Sequence, residues 1–219
     1  LDYSFADRKW LTTAEMNVES PAFEPGLGFH IPGKFDKVLD INQCYLQPDP
    51  SNAIRLTVRK YCVENDLTFM NIRKREGMMR GLIIRNTIKG DLMVIVMVYQ
   101  DEEGKLNGLL QHLKDNFPQI TSLLYVINNK ANDTIHDQEI HCFHGLPYIT
   151  EEMEGLDFRI GPKSFFQTNS LQALTLYKVA REYAGLTGNE HVYDLYTGTG
   201  TIANFVARQA KSVVGIEYV

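Results

Sequence analysis

The stretch DLYTGTGT at residues 194–201 decides the fold of the C-terminal part of the chain, because two glycines there join a strand pattern to a helix pattern. The helix pattern leads to a second strand pattern, VVGIE, at residues 213–217. Glycine allows positive φ angles and lets a ligand approach the backbone closely. The order strand, glycine turn, helix, strand therefore predicts the first half of a nucleotide-type cofactor site.

The residues around this turn favour S-adenosylmethionine (SAM) over a dinucleotide. The run GTGTIA at residues 198–203 fits the G-x-G-x-x-A dinucleotide fingerprint. However, a carboxylate at Asp194 would repel a pyrophosphate, whereas it would attract the methionyl ammonium and the sulfonium of SAM. The helix that starts at Thr201 favours an anion at its free N–H groups, and Glu217 can accept two hydrogen bonds from a ribose diol. A dinucleotide and a purely structural turn are the alternatives.

The composition is that of an ordinary globular protein, with 219 residues, 44% of them hydrophobic and 22% charged. The most apolar stretch, residues 92–99, is too short to cross a bilayer, and the first residues lack the pattern of a signal peptide. The cysteines Cys44, Cys62 and Cys142 form no CxxC pair, which indicates neither a disulfide framework nor a self-contained zinc site. We therefore expect a cytoplasmic protein without membrane contact.

The charge is unevenly distributed along the chain. The net charge of −5 argues mildly against nucleic acid, yet residues 55–89 contain nine basic and three acidic residues. Such a surplus can contact phosphates, and a solvated helix face with an exposed turn is the alternative interpretation. If this segment binds RNA, the candidate contacts are Arg73, Lys74, Arg75 and Arg80.

The remaining patterns predict two domains. Helical spacing is found at residues 52–65, 106–116 and 168–184, and strand patterns at residues 35–41, 82–88, 91–99, 120–128 and 156–166. Lys89-Gly90 is a hairpin signal. Residues 1–28 have the composition of a loop, and residues 151–155 that of an exposed turn. We expect an α+β domain over residues 1–164, followed by a truncated α/β domain over residues 165–219.

Four segments form a recognisable combination. They are LDYSF with RKW at residues 1–10, GFH through VLDINQC at residues 28–44, FFQTN at residues 165–169, and the glycine-turn region at residues 194–217. Together they resemble the RNA uracil-C5 methyltransferases, the family that makes 5-methyluridine in 23S rRNA and in tRNA. The resemblance implies an α+β central domain followed by the first part of a Rossmann-like SAM-dependent methyltransferase domain.

The resemblance also implies roles for single residues. The implied SAM contacts are Gln167, Asp194, Tyr196, Gly198, Gly200, Thr201 and Glu217, although many members have Asn at the position of Thr201. Cys44 matches one of four cysteines that hold a [4Fe–4S] cluster in many members. The other three would precede residue 1, and a single thiolate cannot hold a cluster.

In the reaction that the resemblance implies, a cysteine thiolate adds to C6 of a flipped-out uracil, and C5 then attacks the SAM methyl group. A general base removes the C5 proton before the cysteine leaves. The matching cysteine and glutamate would follow Val219, so we expect no catalytic residue in this chain and no activity from it alone.

The complete protein is expected to be a monomeric enzyme that acts on RNA, with rRNA favoured over tRNA. The alternatives are an RNA-binding module with a vestigial cofactor fold and an NAD-dependent oxidoreductase.

Overall fold

The computed structural model describes residues 1–7 and 25–218, which form two compact units. The first unit comprises Leu1–Asn86 and Asp91–Pro147, and the second comprises Thr87–Gly90 and Tyr148–Val219. The RKW segment at residues 8–10 lies outside the described residues. The domain boundary after residue 164 stays a prediction about the complete protein, because compact units of one chain need not coincide with functional domains.

The first unit is built on a seven-stranded sheet with the order β3-β2-β1-β4-β5-β6-β7. Its strands are β1 (Asp2–Ala6), β2 (Gly26–Ile31), β3 (Lys34–Leu39), β4 (Met79–Asn86), β5 (Leu92–Val98), β6 (Ser122–Ile127) and β7 (Ile140–Gly145), and its helices are α1 (Ser51–Glu64) and α2 (Lys105–Asn116). Neighbouring strands are antiparallel except β5 and β6. Parallel strands need a crossover connection, and α2 provides it.

The hydrophobic core of this unit lies between the sheet and its two helices. Every residue of β5 is buried, as expected for a central strand. Val58 and Cys62 on α1, and Leu109 and Leu113 on α2, belong to the same buried cluster. A spacing of four residues places each pair on one helix face. The helices predicted at residues 52–65 and 106–116 are therefore confirmed, with Cys62 on the buried face.

The N-terminal residues differ from the loop that their composition predicts. β1 lies between β2 and β4 and pairs antiparallel with both. Tyr3 and Phe5 are buried and point to one side of the sheet, since alternate residues of a strand share a face. The partners of β1 are distant in the sequence, so local composition does not reveal the strand.

The second unit combines an antiparallel hairpin with a parallel pair of strands. The hairpin is β8 (Ile149–Met153) and β9 (Leu156–Ile160), followed by α3 (Ser170–Ala184), β10 (His191–Leu195), α4 (Thr201–Ala207) and β11 (Ser212–Ile216). β10 and β11 are parallel, and α4 connects them. Tyr177 on α3 and Phe205 on α4 are buried with their ring centroids 5.8 Å apart. The strand–turn–helix–strand order predicted from the glycine turn is confirmed.

The exposed turn predicted at residues 151–155 is wrong for residues 151–153, which belong to β8 and include a buried carboxylate. Glu151 lies within β8 and is only 1% exposed. Its carboxylate accepts hydrogen bonds from the Ser170 hydroxyl at 2.6 Å and from the backbone N–H of Ile88 at 3.2 Å. A buried charge is costly unless hydrogen bonds replace its water. Only the end of the predicted turn, after Met153, is therefore correct.

Among the described helices, none combines the length and the apolar character that crossing a bilayer requires.

Candidate cofactor-binding site

The turn between β10 and α4 has an unusual backbone. Tyr196, Gly198 and Gly200 have φ angles of 60°, 54° and 75°. Glycine adopts this left-handed region readily, whereas a tyrosine there is strained. Tyr196 is also 86% exposed. Strained residues of this kind are concentrated at ligand sites, which makes the turn a candidate site.

Asp194 holds the turn against the start of α4. Its Oδ2 accepts hydrogen bonds from the Thr197 hydroxyl at 2.7 Å and from the backbone N–H of Ala203 at 3.0 Å. That N–H belongs to the first turn of α4, where no intrahelical acceptor is available. The carboxylate therefore shapes the turn as well as bringing a negative charge to it.

Glu217 reaches the same turn from the neighbouring strand. The parallel register pairs Leu195 with Ile216, so Glu217 follows β11 at the edge where β10 ends. Its Oε2 accepts a hydrogen bond from the backbone N–H of Gly198 at 2.7 Å. Ligands of open α/β sheets bind at the carboxyl ends of the strands. The structure thus brings Asp194, Gly198 and Glu217 together at the edge that the sequence predicted.

The remaining predicted contacts occupy different environments. Thr201 is buried, and its hydroxyl lies 2.9 Å from the Thr199 hydroxyl, so this group is already engaged. The carbonyl of Gly200 accepts a hydrogen bond from the Asn204 side chain at 2.8 Å. Gln167 is exposed in the segment that precedes Asn169, the N-cap of α3. The cofactor contacts of Gln167 and Thr201 stay predictions.

The turn also depends on two residues that were not among the predicted contacts, Thr197 and Gly215. The backbone N–H of Thr197 donates to the carbonyl of Ile216 at 3.1 Å, so Thr197 lies against β11. A Cβ at Gly215 would approach Thr197 Oγ1 to 2.9 Å and Cγ2 to 3.0 Å. A glycine inside a strand often marks the close approach of a neighbouring group. Gly215 in VVGIE was therefore the sequence signal that could have revealed the contact with Thr197.

Three of the four candidate RNA contacts lie on an exposed turn of the first unit. Arg73, Lys74 and Arg75 are all exposed. Arg73 Nε donates to the Asp36 carboxylate at 2.7 Å, and this bond holds the pKa of Asp36 below its usual value. The exposure of these residues is compatible with phosphate contacts.

Arg80, the fourth candidate, lies in a different environment, and its contact with RNA stays a prediction. It is only 6% exposed, and its guanidinium donates to the carbonyls of Asn128 at 2.6 Å, Lys130 at 2.7 Å and Ala131 at 3.4 Å. Desolvation lowers the pKa of Arg80. Burial and three hydrogen bonds to protein carbonyls hold this guanidinium inward, which disfavours a contact with an RNA phosphate.

Cys44 does not have the surroundings of a cluster ligand in the described residues. It is buried, and its backbone N–H and carbonyl both bond to the Asn52 side chain, at 2.8 and 3.0 Å. Within residues 1–7 and 25–218, no group of three His, Cys, Asp or Glu side chains could hold a metal ion. The donor set described here does not fit a four-cysteine [4Fe–4S] cluster.

Two curated proteins match the whole chain closely. No protein-family model matches it. It is 58% identical to a protein from Bacteroides thetaiotaomicron and 56% identical to one from Porphyromonas gingivalis, and each of these is named an uncharacterized RNA methyltransferase. The matches cover 100% of this chain but 49% and 48% of those proteins. The chain therefore spans about half the length of the curated relatives it matches.

A solved structure matches the fold. The tRNA (uracil-54, C5)-methyltransferase of Pyrococcus abyssi, crystallised with S-adenosyl-L-homocysteine, superposes with a TM-score of 0.73 at 25% sequence identity. The match covers 99% of this chain and 48% of that chain. It confirms the expected fold, an α+β part followed by a Rossmann-like methyltransferase part.

Proposed function

We propose that this chain is part of a SAM-dependent RNA methyltransferase that methylates uracil at C5. One observation carries the proposal: two carboxylates bond to the glycine turn at the ends of two parallel strands, Glu217 to the N–H of Gly198 and Asp194 to the Thr197 hydroxyl and the N–H of Ala203. The curated relatives named RNA methyltransferases support the RNA part of the proposal. The similarity to an enzyme named for uracil C5 supports the target atom.

The proposed role of the chain is to bind and orient SAM, which supplies an electrophilic methyl group on its sulfonium. Glu217 accepts hydrogen bonds from the ribose hydroxyls, and the N–H of Gly198 that it now binds becomes a donor to the ligand. Asp194 provides the negative charge that favours the methionyl ammonium. Tyr196 in the turn and Gln167 before α3 supply further contacts.

The described cysteines do not provide the expected nucleophile. Cys44 and Cys62 are buried, and burial raises the pKa of the Cys62 thiol, which disfavours a thiolate. Cys142 is exposed on β7, and the resemblance assigns it no role. We therefore place the thiolate and the general base in the other half of a longer protein, which we expect to act as a cytoplasmic monomer.

The surface of the β10–β11 pair supports membership in a larger sheet. Tyr193, Leu195, Val214 and Ile216 are exposed by 66%, 62%, 48% and 48%. Strands of α/β sheets are normally covered on both faces, and a contiguous exposed apolar surface marks an interaction site. Further strands and helices of the complete enzyme would bury these side chains.

Methyl transfer tests the proposal directly. A full-length protein that carries this chain is incubated with methyl-labelled SAM and with unmodified 23S rRNA or tRNA, and the digested nucleosides are analysed by mass spectrometry. We propose 23S rRNA as the substrate, and tRNA is the competing one. The expected product is 5-methyluridine, and Glu217→Ala should reduce its formation strongly.

The other outcomes separate the alternatives. A methyl group on another base or atom would exclude uracil C5 as the target. RNA binding without binding of S-adenosylhomocysteine would favour a module with a vestigial cofactor fold. Binding of NADH in place of S-adenosylhomocysteine would favour an oxidoreductase.

A further inference from the structure

Phe35 lies on the edge strand of the seven-stranded sheet with most of its ring in solvent. β3 is the last strand in the sheet order, and Phe35 is 58% exposed. A shallow concavity of about 510 Å³ lies beside it, lined by Gly33, Lys34, Phe35, Asp36, Lys37 and Arg73. A single exposed aromatic residue has little meaning by itself. For Phe35, the neighbouring residues indicate a role in binding.

Arg73 lies over the ring and is paired with a neighbouring carboxylate. Its guanidinium carbon lies over Phe35 at 5.0 Å from the ring centroid, while Nε is held by the Asp36 carboxylate at 2.7 Å. The bond to Asp36 orients the guanidinium, and the positive charge of Arg73 compensates the negative charge of Asp36. Unpaired nucleic-acid bases stack on aromatic rings and on guanidinium planes, so a ring with a guanidinium over one of its faces forms a suitable platform.

The charge around the platform has the sign that a phosphate backbone requires. Five basic residues and two acidic residues lie in the two segments 30–39 and 71–77, although the whole chain has a net charge of −5. The basic residues are Lys34, Lys37, Arg73, Lys74 and Arg75. One of the two acids, Asp36, is paired with Arg73. A local positive surface on an acidic protein attracts polyanions selectively.

We infer that this surface binds an unpaired segment of the RNA substrate, with one base stacked on Phe35 and the adjoining phosphates near Lys34, Lys74 and Arg75. The identity of the ligand as RNA rests on the proposed function. A peptide strand added to the edge of β3 would use its backbone and would need neither the ring nor the basic side chains. That kind of partner is the competing outcome of the test.

Fluorescence anisotropy with a fluorescein-labelled 12-nucleotide oligouridine measures the stacking. The full-length protein is used without SAM. Phe35→Ala should weaken binding by about tenfold, because one base–aromatic stack contributes that much, whereas Phe35→Trp should retain it. Tyr183→Ala is the matched control, because Tyr183 is an aromatic residue on α3 that is 88% exposed. Circular dichroism checks that each variant is folded.

A salt titration measures the phosphate contacts. In the double variant Lys34→Ala/Lys74→Ala, the slope of log K against log salt should become shallower by about 1.4, since each lost contact to a single strand removes about 0.7. Lys60→Ala, an exposed lysine on α1, should leave the slope unchanged.

Two results would overturn the inference: an unchanged affinity of Phe35→Ala for oligouridine, or equal affinity of the wild type for a 12-base-pair RNA duplex. If the protein still methylates uridine in RNA, either result would refute only this RNA-binding surface and not the proposed function. Conversely, weaker oligouridine binding by Phe35→Ala, together with no methyl transfer to any RNA, would refute the proposed function and leave this RNA surface intact.

Discussion

Oε2 of Glu217 accepts a hydrogen bond from the backbone N–H of Gly198, with 2.7 Å between oxygen and nitrogen. The bond joins the end of β11 to the turn that follows β10, two places separated by α4 in the sequence. The carboxylate proposed to bind a ribose is therefore held at the edge where the two parallel strands end. A ligand that takes this carboxylate also gains a free N–H donor.

We expect Glu217→Gln to weaken the binding of S-adenosylhomocysteine by about tenfold, because hydrogen bonds to a charged acceptor are roughly twice as strong as neutral ones. Isothermal titration of the full-length protein measures the affinity. Glu182→Gln, an exposed glutamate on α3, is the matched control and should bind normally. Equal affinities for the two variants would contradict a ribose contact.

Asp194 should show a structural role that can be separated from its charge. Asp194→Ala removes the acceptor of two hydrogen bonds and leaves the half-buried N–H of Ala203 unpaired, so we expect the free energy of unfolding to fall by about 1–3 kcal/mol. Thr197→Val removes only one of the two bonds and should cost about 1 kcal/mol. Urea unfolding followed by circular dichroism, with hydrogen exchange at Ala203, distinguishes the two variants.

Gly215 and Thr197 should be energetically coupled. In Gly215→Ala the new Cβ would lie 2.9 Å from Thr197 Oγ1, so Thr197 must move and weaken its bond to Asp194. We expect a loss of about 1–3 kcal/mol, and a smaller loss when Thr197 is already alanine. Gly161→Ala is the control, because its Cβ would meet only ordinary contacts. Additive effects in the double variant would refute the close approach.

Arg80 should be important for stability and not for RNA binding. Arg80→Met leaves the carbonyls of Asn128 and Lys130 without their donor, which we expect to cost about 1–3 kcal/mol in unfolding free energy. Arg75→Met, at an exposed position, should change stability little. A salt titration of oligouridine binding completes the comparison. A shallower salt slope for Arg80→Met with unchanged stability would restore Arg80 as a phosphate contact.

Glu190 should make the stability depend on acid pH. Hydrogen bonds from the Thr187 hydroxyl and from the backbone N–H groups of Thr187 and Asn189 lower its pKa from 4.5 to about 2. Because the folded pKa is below the unfolded one, Glu190 stabilises the fold fully above about pH 4.5, and this contribution is lost as the pH falls through about 2. Glu190→Gln should therefore lose stability at neutral pH and depend less on pH in that window.

The measurement for Glu190 is the urea midpoint between about pH 7 and pH 2, monitored by circular dichroism. Glu182→Gln again serves as the control. If Glu190→Gln follows the same pH profile as the wild type, the loop does not favour the ionised carboxylate.

Local patterns were sufficient for those elements whose evidence lies within a few residues. The helices α1 and α2 follow from apolar spacing, and the β10–α4–β11 unit follows from two glycines between two apolar runs. β1 could not be predicted in this way. Its five residues became a strand because β2 and β4 pair with both of its edges.

The residues of the candidate site likewise divide into those that local sequence predicted and those that depend on distant partners. Asp194, Gly198 and Glu217 were predicted because residue type and position after a strand imply their chemistry. The contact of Gly215 with Thr197 was not, since it depends on the register between two parallel strands. The burial of Arg80 was not predicted, because a basic run in the sequence does not show which side chain turns inward.

The sequence by itself determined the glycine turn, the two carboxylates beside it and the resemblance to RNA uracil-C5 methyltransferases, because each depends on residue identity at short spacing. Only the tertiary structure decided that Glu217 binds the N–H of Gly198, that Arg80 is enclosed by carbonyls, and that Arg73 lies over Phe35. These contacts join residues far apart in the chain. Strand register and burial, which pattern alone does not specify, determine which of them meet.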